Sequence, residues 1–292
     1  MSKTVPTPGA DQRRRRLHSA PCPLESVRQH GFFQAAGVVS PAAVEEIRDA
    51  IGVFGLARDH GFFASPAHAP GPMARDFDRF VRARLAERLR EVIPGHRPFM
   101  VAVTSKGAGS DQEIKFHHDW TYTDERHARA VFLWSPMVSV TRRNAALMVV
   151  PGSHRWSSSI RPSRRHEVTE QFQSAYRQRA VTLRLDAGDA VVFDPATLHG
   201  SGPNRLDEPR PAITIGLVPD DADLVHFHLH DDGALAGAAV DDDFFTCRTY
   251  GEPPVGYPAV TPWTGATTEA DADPRNHRLS RYRRWRRPWD PA

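Results

Sequence analysis

The stretch EIKFHHDWTYTDE, residues 113–125, holds the motif from which the fold and the chemistry of this chain can be predicted. Successive side chains of an extended strand point to opposite faces, so His117 and Asp119 share one face and His118 points to the other. An imidazole and a carboxylate on one face supply two ligands of a metal site. Because a His-x-Asp pair is common by chance, the prediction depends on whether another segment supplies a third ligand.

The best candidate for the third ligand is His199, in DAVVFDPATLHGSGPN, which follows an apolar strand. Two histidines and one carboxylate form the facial triad of non-heme Fe(II) oxygenases, which leaves positions open for a co-substrate and for O2. Arg210 follows eleven residues later. Its guanidinium is a rigid fork that holds a carboxylate by two parallel hydrogen bonds, so it is suited to anchor the far carboxylate of a chelating 2-oxo acid.

Four segments, in this order and spacing, resemble the phytanoyl-CoA dioxygenase family of Fe(II)/2-oxoglutarate-dependent oxygenases. They are FHHDWTY (116–122), NAALMVVPGSH (144–154), AGDAVVFDPATLHGSGPN (187–204) and Arg210. The opening QHGFFQAAGVVSPAAVEEIRDAI also resembles the start of the family. The likeness extends from about residue 25 to about residue 220.

The resemblance implies a role for each residue of the motifs. His117, Asp119 and His199 would be the iron ligands, and Arg210 with Ser201 would hold the tail of 2-oxoglutarate. Related halogenases have Gly or Ala in place of Asp119, which opens an iron position for chloride. The resemblance therefore implies that Fe(II), 2-oxoglutarate and O2 hydroxylate or otherwise oxidise a substrate, and that the reaction is not a halogenation.

Other residues are candidates for contact with the co-substrate. Trp134 stands where family members often have a tryptophan beside 2-oxoglutarate, and His118 stands where they often have Gln. Thr104 and Lys106 precede the metal-binding strand and are further candidates, although an exposed lysine is the commoner case. The family usually has Asn-Gly where this chain has Asn144-Ala145, which leaves the conformation of that turn open.

Three aromatic residues near the ligands are candidates for the substrate pocket, although core packing explains them equally well: Phe116, Trp120 and Tyr122. The substrate would be a small molecule, for which a natural-product intermediate is our preferred class. Oxidation of such a molecule can also end in desaturation, epoxidation or cyclisation.

The pattern of the chain predicts a mainly β fold with flanking helices. Helices are expected from Pro41 and from Pro72, where N-terminal prolines precede apolar residues at helical spacing. Residues 55–70 are interpreted as a loop, and short strands follow Pro98. With the resemblance, these strands predict a double-stranded β-helix, the jelly-roll architecture of cupins. A polar insert at residues 156–179, with a helix over 168–176, is either a cover over the site or a surface excursion.

Length and composition are those of one large domain or two small ones. We expect a disordered basic tail over residues 1–24, the oxygenase domain over 25–262 and a basic extension over 263–292. Only two cysteines, Cys22 and Cys247, are present. They do not form a disulfide framework, which favours a reducing cytoplasm. No apolar run is long enough to span a membrane.

Basic residues are concentrated at the two ends of the chain. Eleven of the 38 Lys and Arg lie in residues 13–16 and 275–287, so the remaining body has more acidic than basic residues. Basic ends can bind nucleic acid, but no recognised nucleic-acid module is present, and a solvated tail is the preferred interpretation. The sequence gives no indication of the oligomeric state.

Two other functions stay open at this stage. One is a cupin-like metalloenzyme that does not use 2-oxoglutarate, and the other is a non-catalytic binding module with basic ends. The segment VHFHLHDD is a competing cluster, because His226, His228 and His230 share one face of a possible strand. Adjacent same-face residues lie roughly 7 Å apart, so three such imidazoles do not easily reach one metal ion, and a pocket wall is the preferred interpretation.

Overall fold

The computed structural model describes residues 23–56, 60–163, 169–248 and 251–277. Antiparallel strands outnumber helices among these residues, as the sequence predicts. In chain order the strands are β1 (Phe32–Ala35), β2 (Phe62–Ala64), β3 (His96–Lys106), β4 (Ile114–His117), β5 (Val131–Pro136), β6 (Leu147–Val149), β7 (Val181–Thr182), β8 (Ala190–Phe193), β9 (His199–Ser201), β10 (Arg210–Pro219), β11 (Leu224–Leu229), β12 (Leu235–Val240) and β13 (Ala259–Val260).

Two antiparallel sheets form the body of the fold. The larger has the order β1-β8-β5-β10-β3-β2, and the smaller has the order β4-β9-β6-β7. In the larger sheet Arg210 lies opposite Lys106, and Thr214 lies between Ala102 and Trp134. In the smaller sheet His117 lies opposite His199. The topology confirms the predicted double-stranded β-helix.

The described residues contain seven helices, and the longest of them cover the outer face of the larger sheet. The seven helices are α1 (Pro23–His30), α2 (Pro41–Val53), α3 (Ser65–His68), α4 (Pro72–Val92), α5 (Gln173–Arg179), α6 (Asp242–Cys247) and α7 (Glu269–Ala272), with 3-10 turns at Ser153–Arg155 and Glu170–Phe172. Ile213 and Ile215 of β10 point to this side and are buried with the apolar face of α4. This explains the near-continuous apolar sequence of the central strands, which are covered on both faces.

The predicted helix starts are confirmed. Ser40 caps α2, because its side chain accepts a hydrogen bond from the Ala43 N–H, and Pro41 occupies the first turn. Helix α4 begins at Pro72 and buries four of the apolar residues expected on its inner face, but Met73 is 50 % exposed. The helix predicted over residues 168–176 is displaced, since α5 spans Gln173–Arg179 and Val168 lies outside the described residues.

Residues 55–70 are not simply the loop that the sequence analysis expects. They contain β2, which pairs with the end of β3 so that Phe62 lies opposite Lys106 and Ala64 opposite Thr104. The strand is only three residues long, too short for an alternating pattern to be recognised. It extends the larger sheet at the end where Arg210 begins β10.

A third sheet, with the order β11-β12-β13, follows the two main sheets in the chain. The segment 160–163, which precedes α5, pairs with this sheet through Ser163 and His228 and with a later segment of the chain through Ile160 and Ala266. The described part of the predicted C-terminal extension is thus packed on the body, while residues 1–22 and 278–292 lie outside the described residues. None of the described helices is long and apolar enough to cross a membrane.

The turn before β6 adopts the conformation that glycine would favour. Ala145 has φ 60°, the only positive φ among the described non-glycine residues. The Thr141 N–H donates to the Asn144 side chain at 2.7 Å, and the Ala146 N–H donates to the Thr141 carbonyl at 3.0 Å. The replacement of Gly by Ala in this family motif therefore leaves the turn left-handed and adds strain of about 1–2 kcal/mol.

We expect Ala145→Gly to leave the free energy of unfolding within about 0.5 kcal/mol of the wild type, because relief of this strain offsets the lost methyl burial and the added backbone freedom. The matched control is Ala146→Gly, which removes an equally buried methyl at a residue without positive φ. It should lower the free energy of unfolding by about 1–2 kcal/mol. Equal losses in urea unfolding would contradict the strain at Ala145.

Candidate metal centre

The structure brings together the three residues that the sequence proposes as ligands. His117 ends β4, His199 begins β9, and the two imidazole rings lie 4.3 Å apart between centroids. Asp119 follows β4, with Oδ1 at 3.8 Å from His117 Nε2 and Oδ2 at 3.6 Å from His199 Nε2. Among the described residues, this is the one group of three or more His, Cys, Asp or Glu that could hold a metal ion.

Both histidines are oriented by backbone carbonyls. His117 Nδ1 lies 2.8 Å from the Lys115 carbonyl, and His199 Nδ1 lies 2.9 Å from the Thr197 carbonyl. A carbonyl only accepts, so each Nδ1 carries the proton and each Nε2 presents its lone pair towards Asp119. Burial lowers the pKa of His199 to about 4, which keeps this imidazole neutral. Two imidazoles and one carboxylate are a donor set suited to Fe(II).

A cavity of about 300 Å³ connects these ligands with Arg210. Strands of both main sheets line it, so it lies between the two layers of the fold. Of the residues proposed from the sequence for the co-substrate or the substrate, five line this cavity: Thr104, Tyr122, Trp134, Ser201 and Arg210. The cavity therefore has the ligands in its wall and a guanidinium at the start of β10.

Arg210 is buried without an acidic partner among the described residues. The residue is 3 % exposed, and its Nε has no hydrogen-bond partner. One terminal nitrogen lies 3.5 Å from the Thr104 carbonyl. Burial lowers its pKa to about 10. The guanidinium carbon lies 5.4 Å from the ring of Trp134, whose Nε1 points to Thr104 Oγ1 at 3.4 Å. An unpaired buried charge is costly, so this position fits an anionic group such as a carboxylate.

Two other candidates for co-substrate contact are not in the lining of the cavity. His118 points away, as strand alternation dictates, and burial and then the charge of Arg161 hold its pKa well below the usual range. Lys106 uses its ammonium on three carbonyls, those of Gln112 at 2.8 Å, Ser201 at 3.3 Å and Gly202 at 2.5 Å. Burial, and then the neighbouring Arg210, lower its pKa to about 7.

Only one of the three aromatic candidates for the substrate pocket lies at the cavity. Tyr122 lines the cavity, but Phe116 and Trp120 do not. Phe116 faces the opposite side of β4 and packs on Tyr176, with ring centroids 6.1 Å apart. Trp120 packs edge-on against His226, with centroids 5.1 Å apart. For Phe116 and Trp120, core packing is the interpretation that the structure supports.

The histidines of VHFHLHDD do not form a metal site. His226 and His228 are buried and share the hydroxyl of Ser163, at 3.0 and 3.1 Å, while His230 is exposed. Neither buried ring is in the lining of the cavity at the metal cluster, and the interpretation as a pocket wall stays a prediction. The pKa of His226 is lowered to about 3, first by burial and then by His228.

The sequence analysis missed several apolar residues of the lining. Met100 and Ala102 share the inner face of β3 with Thr104, and Phe132 shares a face of β5 with Trp134, so strand alternation alone was sufficient to find them. Four others depend on which strands become neighbours, which the sequence does not show: Phe62, Ala64, Leu147 and Phe193.

Comparison with known proteins identifies the family. The sequence model of the phytanoyl-CoA dioxygenase family matches residues 27–212, well over half of the chain. The chain belongs to the phytanoyl-CoA dioxygenase family. A Caenorhabditis elegans protein named "Probable phytanoyl-CoA dioxygenase" is 31% identical over 116 residues, which are 36% of this chain and 36% of that protein. The chain thus spans about a third of the length of the curated relative that it matches.

Solved structures share the fold of this family member at low identity. The epimerase SnoN, in complex with Fe3+, alpha ketoglutarate and nogalamycin RO, superposes with a TM-score of 0.53 at 18% identity, over 85% of this chain and 95% of that chain. EvdO2 from Micromonospora carbonacea var. aurantiaca, complexed with 2-oxoglutarate, gives 0.52 at 21% identity, over 75% and 94%. These likenesses confirm the architecture that the strand order shows.

The hydrogen bonds of Lys106 predict a structural role for this residue in the family fold. Lys106→Met should lower the free energy of unfolding by about 2 kcal/mol or more, because three carbonyls lose a charged donor. The matched control is Lys115→Met, which removes a half-exposed lysine paired with Glu170 and should change stability by less than about 0.5 kcal/mol. Unchanged stability of Lys106→Met, together with weaker 2-oxoglutarate binding, would instead indicate contact with the co-substrate.

Proposed function

We propose that the protein is an Fe(II)- and 2-oxoglutarate-dependent oxygenase that hydroxylates, or otherwise oxidises, a C–H bond of a small molecule. The observation that carries the proposal is that one cavity holds both the His117, Asp119 and His199 cluster and the buried, unpaired Arg210. Membership of a family of Fe(II)/2-oxoglutarate-dependent oxygenases supports it.

Each group of residues has a distinct role in this proposal. His117 and His199 offer Nε2 and Asp119 offers a carboxylate oxygen to the metal, with the Nδ1–H bonds fixing both rings. Bound Fe(II), 2-oxoglutarate and O2 together supply the oxidising chemistry that breaks an unactivated C–H bond. Arg210 binds the distal carboxylate of 2-oxoglutarate, Ser201 adds a hydroxyl, and Trp134 forms the wall beside them.

The lining of the cavity restricts the part of the substrate that reaches the metal. Apart from the ligands and Arg210, the described lining residues are uncharged, and most are apolar. If 2-oxoglutarate neutralises Arg210, no further charge is available to offset the burial of an ionic substrate group. We therefore propose that an uncharged, largely apolar moiety of a small molecule enters the cavity. A natural-product intermediate is the class that we favour.

Location and domain boundaries stay predictions from the sequence. The scarcity of cysteine favours a cytoplasmic enzyme, and the domain is expected to span residues 25–262 between basic segments. We do not propose nucleic-acid binding as a function.

The test is an anaerobic titration of Fe(II) into apo-protein with 2-oxoglutarate, followed by the visible charge-transfer band of the Fe(II)–2-oxoglutarate chelate. The wild type should show the band, and Asp119→Ala should lose metal binding. Arg210→Ala should bind Fe(II) normally but weaken 2-oxoglutarate binding by about 100-fold or more, since the carboxylate loses a buried charge-assisted pair. Arg205→Ala, which removes an exposed guanidinium five residues away, is the matched control and should behave as the wild type.

Other outcomes point to the other functions. Iron binding in the wild type without the band would overturn the role of 2-oxoglutarate and favour the cupin-like metalloenzyme. Absence of iron binding, combined with salt-sensitive binding of DNA or RNA, would favour the non-catalytic module.

A further inference from the structure

Arg161 connects the polar insert to the candidate metal centre. The residue is 6 % exposed, and its Nε donates to the backbone carbonyl of Asp119 at 2.8 Å. A terminal nitrogen lies 3.5 Å from the Trp120 carbonyl. The other side of the guanidinium faces Glu125, with nitrogen–oxygen distances of 3.2 and 2.5 Å. The guanidinium of Arg161 therefore donates both to the Glu125 carboxylate and to the backbone of Asp119, a proposed metal ligand.

The backbone of Arg161 holds the same loop. The Thr121 N–H donates to the Arg161 carbonyl at 3.0 Å, and the Arg161 N–H donates to Thr121 Oγ1 at 3.0 Å. On the far side, Ser163 donates its N–H to the Phe227 carbonyl at 2.8 Å. The segment 161–163 thus links the loop after β4 to β11 of the third sheet.

Asp119 depends on such contacts because it lies outside the strand ladder. Strand β4 ends at His117, so no regular sheet pairing fixes the Asp119 peptide. Its N–H donates to the Pro195 carbonyl at 2.9 Å, and its own carbonyl accepts from Arg161. With both ends of the residue held, the backbone from which the carboxylate extends towards the two imidazoles is fixed.

The buried ion pair with Glu125 restricts the type of residue that can replace Arg161. Both side chains are buried, with 7 % and 10 % of their surface exposed, and a buried guanidinium left without a partner is costly. Lysine carries the same charge but has no planar fork, so it cannot keep the two-nitrogen pair with Glu125 and also donate to the Asp119 carbonyl from a separate nitrogen. Arginine satisfies both acceptors at once.

We propose that Arg161, held in place by Glu125, is a positioning residue that aims the Asp119 carboxylate at the metal. The inference rests on the proposed function, since it requires that Asp119 is a ligand. It also assigns a role to the polar insert, because its segment 161–163 supports the loop that carries Asp119.

The test measures Co(II) binding to the apo-protein by visible absorption, with dissociation constants and the d–d spectrum as readouts. Arg161→Lys and Arg161→Met should each weaken Co(II) binding by about 10- to 100-fold, the usual effect of losing a residue that orients a ligand. The d–d bands should also change, because the Asp119 oxygen no longer binds in the same geometry. A purely structural role would lower the melting temperature but leave the spectrum of the bound metal unchanged.

The matched control is Arg126→Met, which removes a half-exposed arginine of the same loop that pairs with Asp124 at 2.6 Å. It should bind Co(II) as the wild type does. If the Arg161 variants do not fold, Glu125→Gln takes their place, because it keeps the shape of the side chain and releases the guanidinium. The inference would be overturned if a folded Arg161 variant bound Co(II) with the affinity and spectrum of the wild type. If no Arg161 variant folds, the same result in Glu125→Gln would overturn it.

Asp119→Ala separates this result from a failure of the proposed function. If the wild type does not bind Co(II), or if Asp119→Ala binds it equally well, the metal centre itself is wrong. If Asp119→Ala loses binding while the folded Arg161 variants keep it, only the positioning role is wrong.

Discussion

The pairing of β4 with β9 is the constraint on which the candidate centre depends. These two short strands place His117 opposite His199, and a shift of one residue would turn one imidazole to the other face of the sheet. Gly200 permits the pairing, because a Cβ at this position would lie 2.6 Å from the Ile114 carbonyl oxygen. The close approach of the two backbones therefore requires glycine directly after His199.

The larger sheet supplies two basic residues beside the metal cluster. Lys106 and Arg210 are cross-strand partners at the ends of β3 and β10, and both are buried basic side chains. Their environments differ, since Lys106 is surrounded by three backbone carbonyls while Arg210 faces the cavity. Lys106 thus joins the ends of the two sheets, and Arg210 is the one proposed to bind the co-substrate.

Much of the centre could be predicted because the motifs combine local geometry with family resemblance. Strand alternation placed His117 and Asp119 on one face, and it also turned His118 away, although the family position suggested contact with the co-substrate. The residues that could not be predicted are those whose position depends on contacts between distant parts of the chain. Phe62 lies in a three-residue strand within a predicted loop, and Arg161 lies in a polar insert without periodicity, 42 residues from the carbonyl it binds.

The most direct measurement is a crystal structure of the protein grown anaerobically with Fe(II) and 2-oxoglutarate. We expect one iron ion bound by His117, Asp119 and His199, and one 2-oxoglutarate whose distal carboxylate forms two hydrogen bonds with Arg210. Iron bound by other residues, or 2-oxoglutarate held away from Arg210, would contradict the proposed site.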